Sequence, residues 1–156
     1  MKDKIEFNFE DMPHHWAVCF NENCPLAGTC LRLLAGKHLP DDTVTWNTVL
    51  PGTVKDGHCP AFAEIKTERM AYGLGALLAH VEQKDFKMLK QKVMDYLGGQ
   101  STFYRYNRGE KLLSERQQAH IGKLLANHGY TGELVFGGYS ERFVFSNIVS
   151  KNTVDA

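Results

Sequence analysis

Apolar residues recur along this chain with two different periods, and the changes between them outline its elements. Ile5, Phe7 and Phe9 alternate with Glu6, Asn8 and Glu10, the period-2 pattern of a half-buried strand, which Pro13 and the His14-His15-Trp16 cluster would end. From Cys24, Pro25 takes a first-turn position, Leu26, Cys30, Leu31, Leu33 and Leu34 follow, and Gly36 lies just past the apolar run; this predicts a short helix. Residues 37–60 hold Pro40, Pro51 and Pro60 among Asp, Thr and Gly, so regular structure there should be short, with one strand at Val44 and Trp46.

Helical spacing then takes over. From Thr67 to His80 and just beyond, Met70, Leu74, Leu77, Leu78 and Val81 fall on one helical face, although Gly73 and Gly75 each cost about 1 kcal/mol against Ala in a helix interior. Asp85 is placed to cap a further helix whose buried stripe is Phe86, Leu89, Val93, Met94 and Leu97, with Gly98-Gly99 as its stop. The β-prone run Ser101 to Tyr106, followed by Asn107-Arg108-Gly109, predicts a strand and turn. Ser114 and Gln117 have the spacing of a capping box, and Ile121, Leu124 and Leu125 carry that helix to His128-Gly129. Leu134-Val135-Phe136 and Phe143-Val144-Phe145 flank Gly137-Gly138-Tyr139 and predict a terminal hairpin or two short edge strands.

Together these elements predict an α+β fold with two to four helices and short strands. At 156 residues, 43% apolar and 23% charged, the chain can bury one core. The expected layout is a single domain over 1–150, with a cysteine-containing lobe at 1–65, a helical and short-strand part at 66–150, and a frayed tail at 151–156. No run of 18 apolar residues occurs, and the first residues lack the features of a secretory signal, so a cytoplasmic protein without membrane contact is expected.

Charge adds a division that the zero net value hides. Residues 1–83 carry 7 Lys and Arg against 11 Asp and Glu, a net of −4; residues 84–128 carry 9 against 4, a net of +5. The basic segment includes Phe103-Tyr104-Arg105-Tyr106-Asn107-Arg108, where rings alternate with guanidinium groups suited to stacking bases and neutralising phosphates. Arg105, Tyr106, Arg108 and Lys111 are therefore candidates for nucleic-acid contact. Ordinary strand aromatics and exposed ion pairs with Glu110 or Glu115 explain the same residues more simply, so nucleic acid is not the favoured partner. A protein partner or a homodimer remains open, through apolar surface left over on residues 68–97.

The chemistry is concentrated in the four cysteines, all within the first 59 residues: Cys19-x4-Cys24-Pro-x4-Cys30, then Cys59-Pro after a long loop. In a reducing compartment, clustered thiols are better read as ligands than as disulfides. Four thiolates repel one another unless a cation compensates them, which points to structural Zn²⁺ on Cys19, Cys24, Cys30 and Cys59. A [4Fe–4S] cluster needs the same four ligands, though the compact Cys-x2-Cys-x2-Cys run is absent. His58, beside Cys59, is an alternative fourth ligand, and His14 and His15 also stand near the set. Cys19-x4-Cys24-x5-Cys30 resembles a CCCH zinc finger, but the histidine required three residues on is Leu34. Walker, dinucleotide-binding, zincin and nucleophile-elbow motifs are all missing, so no catalytic residue is assigned and a non-enzymatic metal-binding interaction or regulatory protein is expected.

The strings Cys-Pro-Leu-Ala-Gly-Thr-Cys-Leu-Arg, His-Cys-Pro-Ala-Phe, Tyr-Arg-Tyr-Asn-Arg-Gly-Glu-Lys-Leu-Leu-Ser-Glu-Arg-Gln-Gln and His-Gly-Tyr together resemble a family of short, uncharacterised bacterial proteins, mainly from anaerobic gut bacteria. The resemblance covers nearly the whole chain. It implies an intracellular single-domain protein and transfers no catalytic residue, ligand or partner.

Overall fold

The computed structural model describes residues 5–145, so the expected frayed tail at 151–156 lies outside the described residues. The fold is mixed α+β, with five α-helices and one two-stranded antiparallel sheet among the described residues. The described residues form two compact units, one from those up to Thr67 together with those from Arg142 on, the other from Glu68–Glu141. The division falls inside both strands, β1 (Thr67–Tyr72) and β2 (Gly138–Phe143).

Among its described residues the first unit contains one α-helix, α1 (Leu31–Lys37), and short 3-10 turns at Phe9–Asp11 and Ala27–Thr29. Its core is Met12, Trp16, Val18, Leu31, Ala35 and Ala63, with Phe7, Phe9, Trp46, Phe143 and Phe145 packed against it. The expected strand at Ile5–Phe9 does not form. Asn8 accepts a hydrogen bond from the Glu10 N–H (3.0 Å) and turns the chain into Phe9–Asp11, a local alternative to ladder pairing. The alternation still marked which rings turn inward: Phe7 meets Phe143 and Phe145, and Phe9 meets Trp46. Val44 and Trp46 form no strand either. Backbone order there comes from single bridges, Val18 with Thr48 and Cys30 with Glu64.

In the second unit, α2 (Leu74–Leu78), α3 (Gln83–Leu97), α4 (Gln100–Asn107) and α5 (Glu115–Ala126) enclose Leu74, Leu77, Leu78, Leu89, Val93, Leu97, Phe103, Tyr106, Ile121 and Leu125. α3 and α5 stand where periodicity places helices. The α3 cap is Glu82 rather than Asp85; Asp85 lies in the first turn, where its carboxylate suits the helix dipole and accepts the Tyr130 hydroxyl at 2.6 Å. Gly98, at φ +96°, ends α3 as expected.

Three expectations for this part of the chain are corrected. The helix over 67–81 is instead β1 followed by α2, because Gly73 at φ +85° breaks the backbone between them. The strand at 101–106 is instead α4: Phe103 and Tyr106, three apart, both enter the core, and this burial outweighs the β preference of aromatic residues. Among the described residues there is neither the terminal hairpin nor the pair of edge strands expected at 134–136 and 143–145, but the one strand β2. Gly137 lies against Gly73, donating its N–H to the Gly73 carbonyl (3.0 Å), and the following residues pair as β2 with β1.

The capping box is present in full: Ser114 Oγ accepts the Gln117 N–H (3.2 Å), and Gln117 Oε1 accepts the Ser114 N–H (2.9 Å). Ser114→Ala is expected to destabilise the protein by about 1 kcal/mol, read as a lower urea midpoint at unchanged slope. An unchanged midpoint would show that the cap contributes nothing.

Candidate metal centre

Cys19, Cys30 and Cys59 are each placed by a different local device, and all four cysteines are free and partly buried. Cys19 follows Val18, which is fully buried and bonded on both sides to the strand-like segment at Asn47 and Val49 (3.0 and 2.8 Å). The Cys19 N–H donates to the Arg32 carbonyl (2.9 Å), and the Cys19 carbonyl lies against Gly36 of α1 so closely that a Cβ at 36 would overlap it. Gly36, which the sequence reads as a helix stop, is in fact a contact point inside the helix. Cys30 precedes α1, anchored where Leu31 N–H meets the Ala63 carbonyl (2.7 Å).

Cys59 is delivered by a tight reversal. Lys55 and His58 exchange both backbone hydrogen bonds (2.8 and 2.9 Å) around Asp56-Gly57, whose φ values of +52° and +72° have the signs a type I′ turn requires. Asp-Gly is the strongest short-range hairpin signal in this loop, and it was the cue to follow for the fourth cysteine.

All four cysteines line one small cavity of about 30 Å³, together with Asn21, Leu26, Ala27, Arg32, Leu33, Val49, Ala61 and Phe62. A space of this size suits an ion or a compact inorganic group; organic cofactors take about 300 Å³ or more. His58 is exposed on the hairpin and is not among the lining residues. His14 and His15 line a different pocket, with Thr45, Trp46 and Asn47. Cys19, Cys24 and Cys59 also border an open groove of about 500 Å³ that includes Phe20, Leu50, Pro51 and Val54.

Two of the sulfurs accept backbone hydrogen bonds from two residues ahead, Asn21 N–H to Cys19 Sγ (3.5 Å) and Leu26 N–H to Cys24 Sγ (3.4 Å). Arg32 brings a cation to the same cavity. Burial pulls its guanidinium below the ordinary arginine range, and Cys30, Cys59 and Cys19 push the other way. As the side chains lie, no three His, Cys, Asp or Glu groups among the described residues stand in a metal-holding arrangement. The donor set nevertheless fits a thiophilic metal: four thiols, N–H donors to two of them, and a buried cation beside an apolar wall.

The basic and aromatic stretch is arranged otherwise. Glu110 accepts from Arg108 at 2.8 Å and lies 3.7 Å from Arg105, and the Arg108 hydrogen bond holds the Glu110 carboxyl below its usual range. Tyr106 is in the core, with its hydroxyl accepting from Gln117 (3.3 Å), so it is not available to stack on a base. Lys111 Nζ lies 5.8 Å from the Tyr106 ring centroid.

No helix among the described residues is long and apolar enough to cross a membrane. The sequence model of a family of unknown function, DUF6078, matches residues 1–145. No curated protein and no solved structure matches the chain.

Proposed function

The chain belongs to the DUF6078 family, which lends it no activity, and from its own geometry we propose a non-enzymatic metal-binding interaction or regulatory protein. In this reading Cys19, Cys24, Cys30 and Cys59 hold a structural Zn²⁺ in the first unit, and the protein acts in the cytoplasm. The observation that carries it is the convergence of all four cysteines, separated by up to forty residues of sequence, on one cavity of about 30 Å³. A lobe with one seven-residue helix and isolated bridges gains much of its order from such a cross-link. The exposed Phe20 and Leu50 beside the groove are the surface it would offer a protein partner. That the cysteine pattern marks the family as a whole, and that its members come mainly from anaerobic gut bacteria, belong to the same proposal.

A second reading, a [4Fe–4S] redox-type protein, draws support from the open groove. A structural zinc site is closed, whereas a centre that exchanges electrons benefits from an approachable edge, and three of the four cysteines border that groove. The nucleic-acid reading has less behind it, since Glu110 engages Arg105 and Arg108 and Tyr106 is buried.

Elemental analysis of protein purified without oxygen, beside its visible spectrum, separates these. We expect a colourless protein with about one zinc per chain. A brown protein with broad absorption near ~400 nm and about four irons per chain establishes the second reading. Less than about a tenth of a metal equivalent of either kind removes both.

A further inference from the structure

Arg32 is a fully buried charge, 1% exposed, in a unit otherwise cored by aliphatic and aromatic side chains. Its Nε donates to the Ala61 carbonyl and its Nη1 to the Ala17 carbonyl, both at 2.6 Å, and its guanidinium carbon lies 4.3 Å from the centre of the Trp16 ring. These contacts fix the group in place, yet each partner is neutral. Nη2 is buried and has no hydrogen-bond partner among the described residues.

Burying an arginine without a compensating anion costs several kcal/mol, and leaving one of its donors unmet adds to that. Among the described residues, no carboxylate lines the cavity that Arg32 shares with the cysteines. Neutral thiols would compensate little, because S–H is a weak hydrogen-bonding group. Thiolates gathered on a divalent metal would compensate fully: four of them on M²⁺ carry a net charge of −2. Cys19 and Cys24 each already receive one backbone N–H group, and a thiolate sulfur has lone pairs to accept a further donor.

We infer that Arg32 is the resident counter-charge of the cysteine centre, donating through Nη2 to a thiolate sulfur, and that the group held there is a net anion. This rests on the metal reading above and adds to it a positioning residue and the sign of the bound group. Arginine serves here where lysine would not, since a fixed planar fork can hold two carbonyls and still present a further N–H.

Co²⁺ added to the anaerobic full-length protein is the probe, read by its thiolate-to-metal charge-transfer band and by competition with a chelator. Arg32→Met keeps an unbranched, flexible side chain, shorter than arginine, and removes the charge and the N–H donors. It is expected to bind Co²⁺ about 10–100-fold more weakly, as other losses of a group supporting metal ligands do. Its band should move to longer wavelength, because removing a nearby positive charge raises the energy of the sulfur electrons. Arg32→Lys should return the band toward its original position while recovering only part of the affinity. A saturated Arg32→Met protein with unchanged band and affinity overturns the inference and leaves the metal site standing.

Should Arg32→Met fail to fold, the unmutated protein answers instead. The Arg32 Nη–H resonances are expected to shift when Cd²⁺ is bound, and resonances that stay in place overturn the inference. Wild-type protein that takes up neither Co²⁺ nor Cd²⁺ removes the metal reading itself, and the inference with it.

Discussion

Cys59→Ser is expected to strip the full-length protein of bound zinc and to lower its thermal midpoint by about 10 °C or more. Serine is nearly isosteric with cysteine and brings no new bulk, so the Asp56-Gly57 reversal and the packing around Phe62 stay as they are. What changes is the ligand: a hydroxyl stays protonated where a thiol gives up its proton to the metal. Apparent binding energies of structural zinc reach ~10 kcal/mol or more, and in a lobe with so little regular structure that energy is largely folding energy. Chelator-stripped wild-type protein should therefore match the serine variant in both midpoint and circular dichroism. His58→Ala is the companion measurement, because His58 is exposed and does not line the cavity. It should keep its zinc and its midpoint. If the serine variant retained equimolar zinc and the His58 variant lost it, the fourth ligand would be the histidine and the assignment of Cys59 would fall.

Gly73→Ala should be the most damaging single methyl in the second unit, at ~3–4 kcal/mol. Gly73 sits at φ +85° and ψ +65° at the entry to α2, a conformation that costs other residues about 1–2 kcal/mol. A Cβ there would also stand 2.6 Å from the Gly137 Cα and 2.7 Å from the Gly137 nitrogen, both backbone atoms with no rotamer to yield. Relief would have to come from moving the Gly137 segment, which holds its hydrogen bond to the Gly73 carbonyl and leads directly into β2. Gly98 supplies the internal comparison: φ is +96°, but nothing lies within 4 Å of its missing Cβ. Gly98→Ala should cost only the backbone strain, about 1 kcal/mol. Urea unfolding of the two variants measures the difference, and equal costs would mean that the Gly73–Gly137 contact contributes nothing.

How far the sequence carried can be seen residue by residue. Ser114 and Gln117 marked the start of α5 because a capping box is made between residues three apart and needs no other part of the chain. The stripe of Leu89, Val93 and Leu97 and the stop at Gly98 marked α3 for the same reason. Residues 101–106 misled because aromatic residues suit strands and helices alike once a core exists to bury them, and α4 forms where Phe103 and Tyr106 reach that core. The glycines at 137 and 138 had the composition of a turn, but Gly137 is there to let two backbones approach. Tyr106 had the chemistry of a base-stacking residue, and burial removed it from the surface.

The candidate site divides along the same line. The sequence by itself determined that four thiols, confined to the first 59 residues and punctuated by Pro and Gly, were the group to watch. It also determined α3, α5 and the α+β class, since all of these rest on patterns within a few residues or on composition. Only the tertiary structure decided that Cys59 rather than His58 lines the cavity with the other three, because that depends on which way a two-residue reversal turns the chain. It alone brought in Arg32, which in the sequence is one charge inside an apolar helix and in the fold is a buried cation lining the same cavity as the four cysteines. Neighbours three or four apart are set by helical geometry. Neighbours 29 apart, such as Arg32 and the Ala61 carbonyl, are set by which surfaces the whole unit buries together.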